Sequence, residues 1–273
     1  MIKLIVTADD YGMNSNCTKA ITECMLKGWV TNTSLMVNMP SCEEAVEQAR
    51  KNGLLDRIGL HVNFTEGLPL TARIRACREF CDENGEFNRT FRRDLKRCFT
   101  PLSEYERQLV EEETVAQVER YIKLGLPVRH FDSHHHSHLV YRVIPSIFKV
   151  MREYGFKSVR RPVNLAIRLK LKSKIYYALE EKLKLLRMGR RNMVYTDYMG
   201  ALSGLQSQFG TIGEGQSAEL MVHPMFMKDG KLDMNGEMSD SGLRTMAETV
   251  GFLESISNKT VKVSFRDLQL NNM

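Results

Sequence analysis

Short β-rich runs alternate with longer helical patterns along the whole 273-residue chain, and no other feature restricts its fold more. Strands are expected at 2–7 (IKLIVT), 33–38 (TSLMVN), 57–63 (RIGLHVN), 127–133 (PVRHFDS), 157–160, 193–197, 218–222 (AELMV) and 261–265. Between them, apolar residues recur at helical spacing over about 15–27, 42–52, 103–125, 142–154, 165–188 and 241–256. Ser103 with Glu106 three residues on is a capping-box pattern, and Gly28, Gly53 and Gly155 fall where helices should stop. Strand, helix, strand, repeated, means parallel β-structure with crossover helices. Two stretches break the rhythm, at about 68–103 and 165–200, and read as insertions. Without a Pro-, Gly- or Ser-rich spacer or an internal repeat, one domain over 1–273 is expected.

The chemically distinctive residues fall at the carboxyl ends of these strands. Asp9 and Asp10 end the first, His61 the third, Asp132 to His138 the fourth and Arg160 the fifth, while His223 follows ELMV. Parallel α/β folds gather ligands and catalysis at that end of the sheet. Five of the seven histidines lie in HFDSHHHSHLV, residues 130–140. In an extended segment Asp132, His134, His136 and His138 would share one face and His135 would take the other. A carboxylate from Asp9 or Asp10, His61 and one histidine of the cluster would make a three-ligand site with positions open for water and substrate. The remaining histidines, His136 and His138 among them, would position substrate or brace the ligands.

Each feature also has a plainer reading. ADD can be a turn, His61 a core histidine, His223 before Pro224 a turn residue, and HHH a surface accident. Their common position at strand ends is what favours a site. Cys77 and Cys81 have a metal-like spacing, but no second Cys or His pair follows nearby. The formal charge of +6 belongs to one segment: residues 167–192 hold nine Lys or Arg and two Glu. That segment reads first as an amphipathic surface helix and second as a contact for an anionic partner. A nucleic-acid-binding protein would use it but would leave the strand-end residues idle, so nucleic acid is not expected as a partner. No stretch approaches a membrane span, and the short apolar run before Asp9 lacks the features of a signal peptide, so a cytoplasmic location with free thiols is expected.

TADDYG (7–12), GLHVNFTEG (59–67), HFDSHHHSH (130–138) and ELMVHP (219–224) resemble, in order and spacing, the YdjC-like carbohydrate deacetylases, which include chitooligosaccharide deacetylase. The resemblance runs from the first strand to near the carboxyl terminus. It implies an irregular TIM-like (β/α) barrel that removes N-acetyl groups from amino sugars with one divalent cation, Mg²⁺ or Zn²⁺, and it implies a homodimer. Carried onto this chain, it implies metal ligation by Asp10, His61 and His134, a general base at Asp9 and a general acid at His223. Arg160 would orient Asp9 or the substrate. Residues 68–103 and 165–200 match no part of the pattern, which leaves the sugar open. The alternative is a phosphoesterase or another amidohydrolase using the same Asp/His site, with two metal ions and more ligands.

Overall fold

The computed structural model describes residues 1–89, 100–165, 179, 181–186, 188, 193–234 and 245–270. Its strands are β1 (Ile2–Tyr11), β2 (Asn32–Leu35), β3 (Ile58–Val62), β4 (His130–Ser133), β5 (Ser158–Val159), β6 (Tyr198–Gly200), β7 (Ser217–Val222), β8 (Met225–Phe226), β9 (Leu232–Asp233) and β10 (Thr260–Lys262). Seven run in the order β5-β4-β3-β2-β1-β7-β6, with β10 added to the amino end of β1, and every pairing in this sheet is parallel. β1 is central, and of its ten residues only Lys3 is not fully buried. That burial on both faces explains its near-continuous apolar run.

The sheet is strongly curled. Along the ladder β5 and β7 are five strands apart, which would separate them by about 24 Å in a flat sheet. Yet Arg160, the residue after β5, donates from Nε to Glu219 Oε1 on β7 at 2.9 Å. The expected TIM-like barrel does not close into a full ladder. The edge strands meet through single parallel bridges, Ser158 to Val194 and Leu165 to Gly200. Glycine permits this approach, since a Cβ at Gly204 would lie 2.2 Å from the Leu165 carbonyl oxygen. The result is an α/β half-barrel around one continuous core cluster that runs from Ile2 to Ile256.

Several expected elements move. The helices Ser15–Leu26, Cys42–Lys51, Glu104–Lys123, Ile144–Glu153 and Met246–Ser255 stand close to where periodicity puts them, and Ser103 and Glu106 make the capping box. The sixth strand begins at Tyr198 instead of 193, and the hairpin β8–β9 and the helices Leu202–Gln208 and Phe265–Leu270 carry periodic patterns too short to detect. Within 68–89 the ENGEF stretch forms a turn closed by a bridge between Cys81 and Phe87. Most of the basic 167–192 segment lies outside the described residues. No helix among the described residues is long and apolar enough to cross a membrane.

One core histidine is not part of the site. His130 is fully buried, stacked on Phe265 with ring centroids 3.4 Å apart, and its Nδ1 meets Ser158 Oγ at 3.0 Å. Burial pushes its pKa from 6.5 down to about 3, against the opposing pull of Asp132. Between those values the unfolded chain binds a proton that the folded chain refuses, so acid favours unfolding. His130 should therefore cost the protein on the order of several kcal/mol as pH falls from about 6.5 toward 3, and nothing above that window. Urea unfolding at pH 7 and pH 5 checks this, because the loss on acidification should shrink in His130→Gln. An equal loss in both proteins would assign it to other groups.

Candidate metal centre and active site

Just before its last residue β1 carries two adjacent aspartates that a regular strand would point to opposite faces. Its register with β2 shifts between Ala8 and Tyr11, and Asp10 takes the left-handed conformation at φ 69°. This bulge brings both carboxylates to the same rim with different neighbours. Asp10 Oδ1 lies 3.2 Å from His61 Nε2 and 2.7 Å from His134 Nδ1. Asp9 receives a bidentate pair from Arg160, Nη1 to Oδ2 at 2.6 Å and Nη2 to Oδ1 at 2.7 Å.

His61 sits on β3 directly opposite Asp132 on β4. Its Nδ1 meets Asp132 Oδ1 at 2.7 Å, and Ser34 on β2 donates to Asp132 Oδ2 at 3.0 Å. Asp132 is thus the fixed brace of His61, a role that its position among the histidines did not suggest. His134 follows the last residue of β4. There the extended path stops, and residues 134–139 turn in a tight 3₁₀-like run with His135 and His136 left-handed, at φ 53° and 54°.

The alternation expected along this segment therefore fails. Sheet pairing ends at Ser133, and the turn swings the histidines apart. His138 is fully buried, its Nδ1 on Ser133 Oγ and its Nε2 on the Arg160 carbonyl. With both nitrogens engaged and no exposure, it cannot meet substrate as expected, and burial pushes its pKa down to about 4. It braces the turn instead. His136 is half-buried in the same turn.

Arg160 is fully buried at the centre of three carboxylates. Besides Asp9 it reaches Asp132 Oδ2 at 3.0 Å and Glu219 Oε1 at 2.8 Å through Nη2. These contacts leave it no face for substrate and make it the anchor of Asp9. Burial raises the Glu219 carboxyl pKa in spite of Arg160, and Glu219 Oε2 has no partner among the described residues. His223 leaves the end of β7 with its backbone N–H on the Met234 carbonyl, 17% of its side chain exposed, and its Nε2 3.8 Å from Asp9 Oδ2.

Asp10, His61 and His134 each offer a ligand atom within 4.8 Å of the others, so this buried trio can hold a metal ion. Two imidazoles and a carboxylate suit a borderline divalent cation. The electrostatics agree. Burial opposes charge on the His61 ring, yet Asp132 and Asp10 hold its pKa up to about 10. Burial likewise opposes ionisation of Asp10, yet His134 and His61 hold its pKa well below the usual carboxylate range.

Fold and site together define an α/β half-barrel with a candidate metal centre on its carboxyl rim. The chain belongs to the YdjC-like protein family, which it matches over residues 3–250. Proteins named carbohydrate deacetylase are among its relatives. One from Vibrio cholerae serotype O1 is 39% identical over 153 residues, 56% of each chain, so the chain spans little more than half the length of that relative. Another, from Listeria monocytogenes serotype 4b, is 27% identical over 272 residues, covering 98% of this chain and 100% of its own. A candidate cellobiose-phosphate cleavage protein from Enterococcus faecalis, of known crystal structure, shares the fold, with a TM-score of 0.66 and 22% identity over 98% of this chain and 99% of that one.

Proposed function

We propose that this protein is a metal-dependent hydrolase that removes N-acetyl groups from amino sugars or chitooligosaccharides. The observation that carries the reading is the pairing of Asp10, His61 and His134 with an Arg160-anchored Asp9 and a partly exposed His223 on one rim. The deacetylase relatives support the choice of bond. Asp10, His61 and His134 hold one divalent cation, Mg²⁺ or Zn²⁺, which when bound polarises the acetyl carbonyl and eases loss of a proton from water. Asp9 accepts the proton of the attacking water. Its bidentate contact with Arg160 fixes the carboxylate in the orientation that this transfer needs. His223, its Nε2 3.8 Å from Asp9 Oδ2, gives a proton to the departing amine. Acetate and a free amino sugar are the products.

The phosphoesterase alternative is less well supported, because a second cation would have to share His134 with the first, in the group Glu66, His134 and His135. Asp9 and Asp132 are already engaged by Arg160. Acetate release from diacetylchitobiose by metal-stripped protein, with and without Mg²⁺, Zn²⁺ or Co²⁺, tests the proposal. Release should require metal and vanish in His134→Ala. Stoichiometric metal binding with no release under any condition would remove this substrate class and turn attention to phosphoesters.

A further inference from the structure

The two histidines of the candidate metal centre are built alike. Each turns one ring nitrogen toward Asp10 and the other toward a second carboxylate. For His61 that carboxylate is Asp132, at 2.7 Å from Nδ1. For His134 it is Glu66, whose Oε2 lies 3.0 Å from Nε2. A carboxylate on the outer nitrogen of a metal-binding histidine fixes its tautomer and ring orientation and strengthens it as a ligand.

The two braces differ in their surroundings. Asp132 is fully buried, held by Ser34 and Arg160. Glu66 keeps 34% of its side chain exposed, with Arg89 3.6 Å away and also partly exposed, and His135 close by. The backbone beneath it is nevertheless firmly placed. Asn63 Nδ2 donates to the Glu66 carbonyl at 2.7 Å, the Glu66 N–H donates to Asn63 Oδ1, and Asn63 is itself gripped by Gln117 through both its N–H and its carbonyl. A loop held this tightly presents one carboxylate to His134 at the open side of the site.

We infer that Glu66 is a positioning residue for the metal centre: it accepts the Nε2–H of His134 and so leaves the Nδ1 lone pair free for a cation shared with Asp10 and His61. His61 is the ligand locked from the interior, and His134 is the ligand set from the more exposed side. A second cation among Glu66, His134 and His135 is the competing use of these groups. It would take the His134 nitrogen that Glu66 engages, which would deprive the first centre of its brace.

The inference rests on the ligand set proposed above, and Co²⁺ titration of the full chain, followed by visible absorption, separates the two. His134→Ala should abolish Co²⁺ binding. Glu66→Ala should keep one Co²⁺ per chain but weaken it about 10- to 100-fold and alter its absorption bands, with Glu66→Gln in between because its amide oxygen still accepts the N–H. Melting temperature should not follow that order, since the side chain is partly exposed. Wild-type affinity and spectrum in Glu66→Ala, alongside loss in His134→Ala, would overturn the Glu66 role alone. Unchanged binding in His134→Ala would overturn the ligand set and the inference with it. A second Co²⁺ lost on mutating Glu66 would replace the brace by a second site.

Discussion

Arg160→Met is expected to destabilise the fold by about 3–5 kcal/mol, the cost of removing one partner from a buried ionic cluster. Asp9, Asp132 and Glu219 would be left facing one another with no cation between them, none more than 4% exposed. Arg160→Lys should recover only part of the loss, because a single ammonium cannot reproduce the bidentate contact with Asp9 while also reaching the other two. Denaturant unfolding at pH 7 measures both variants. Arg266→Ala is the control: its pair with Asp56 is exposed and should contribute under about 1 kcal/mol. A loss below about 1 kcal/mol in Arg160→Met would mean that the cluster discharges by taking up protons, with Glu219, whose pKa burial already raises, as the first acceptor.

The second large effect separates two neighbours. Asp9→Asn should lower turnover by about 10²- to 10⁴-fold, the range for loss of a general base, and leave metal affinity near that of wild type. Asp10→Asn should impair both, since Asp10 Oδ1 is the carboxylate atom shared by His61 and His134. Metal titration run beside acetate release distinguishes the pair. If Asp9→Asn were the variant that lost the metal, the two roles would have to be exchanged.

Much of the site is legible in the chain because parallel α/β folds bring strand ends together whatever the loops do. TADD, GLH, DSH and VHP each lie at the end of a recognisable strand, so Asp9, Asp10, His61, the 132–138 cluster and His223 stand out without coordinates, while the choice of His134 within the cluster comes from the family resemblance. The partners were harder to find. Asp132 sits in the quoted histidine stretch, but its pairing with His61 depends on β3 and β4 being neighbours in register. Glu66 lies in GLHVNFTEG and carries no periodic signal. Its contact with His134 spans 68 residues. His138 escapes the alternation because the strand ends at Ser133 and a tight turn follows.

The sequence by itself determined the class of fold and the carboxyl-end rim, since hydrophobic period and cap residues are local properties of the chain. It also limited the reactive groups to aspartate and histidine. Only the tertiary structure decided which carboxylate serves which histidine, that Arg160 is a buried anchor, and that the sheet stops at a half-barrel. Those outcomes depend on sheet curl, a bulge at Asp10 and contacts between residues 59 to 151 positions apart, such as Arg160 with Glu219 and with Asp9. Such contacts follow from packing the whole chain, and no short window of residues contains them.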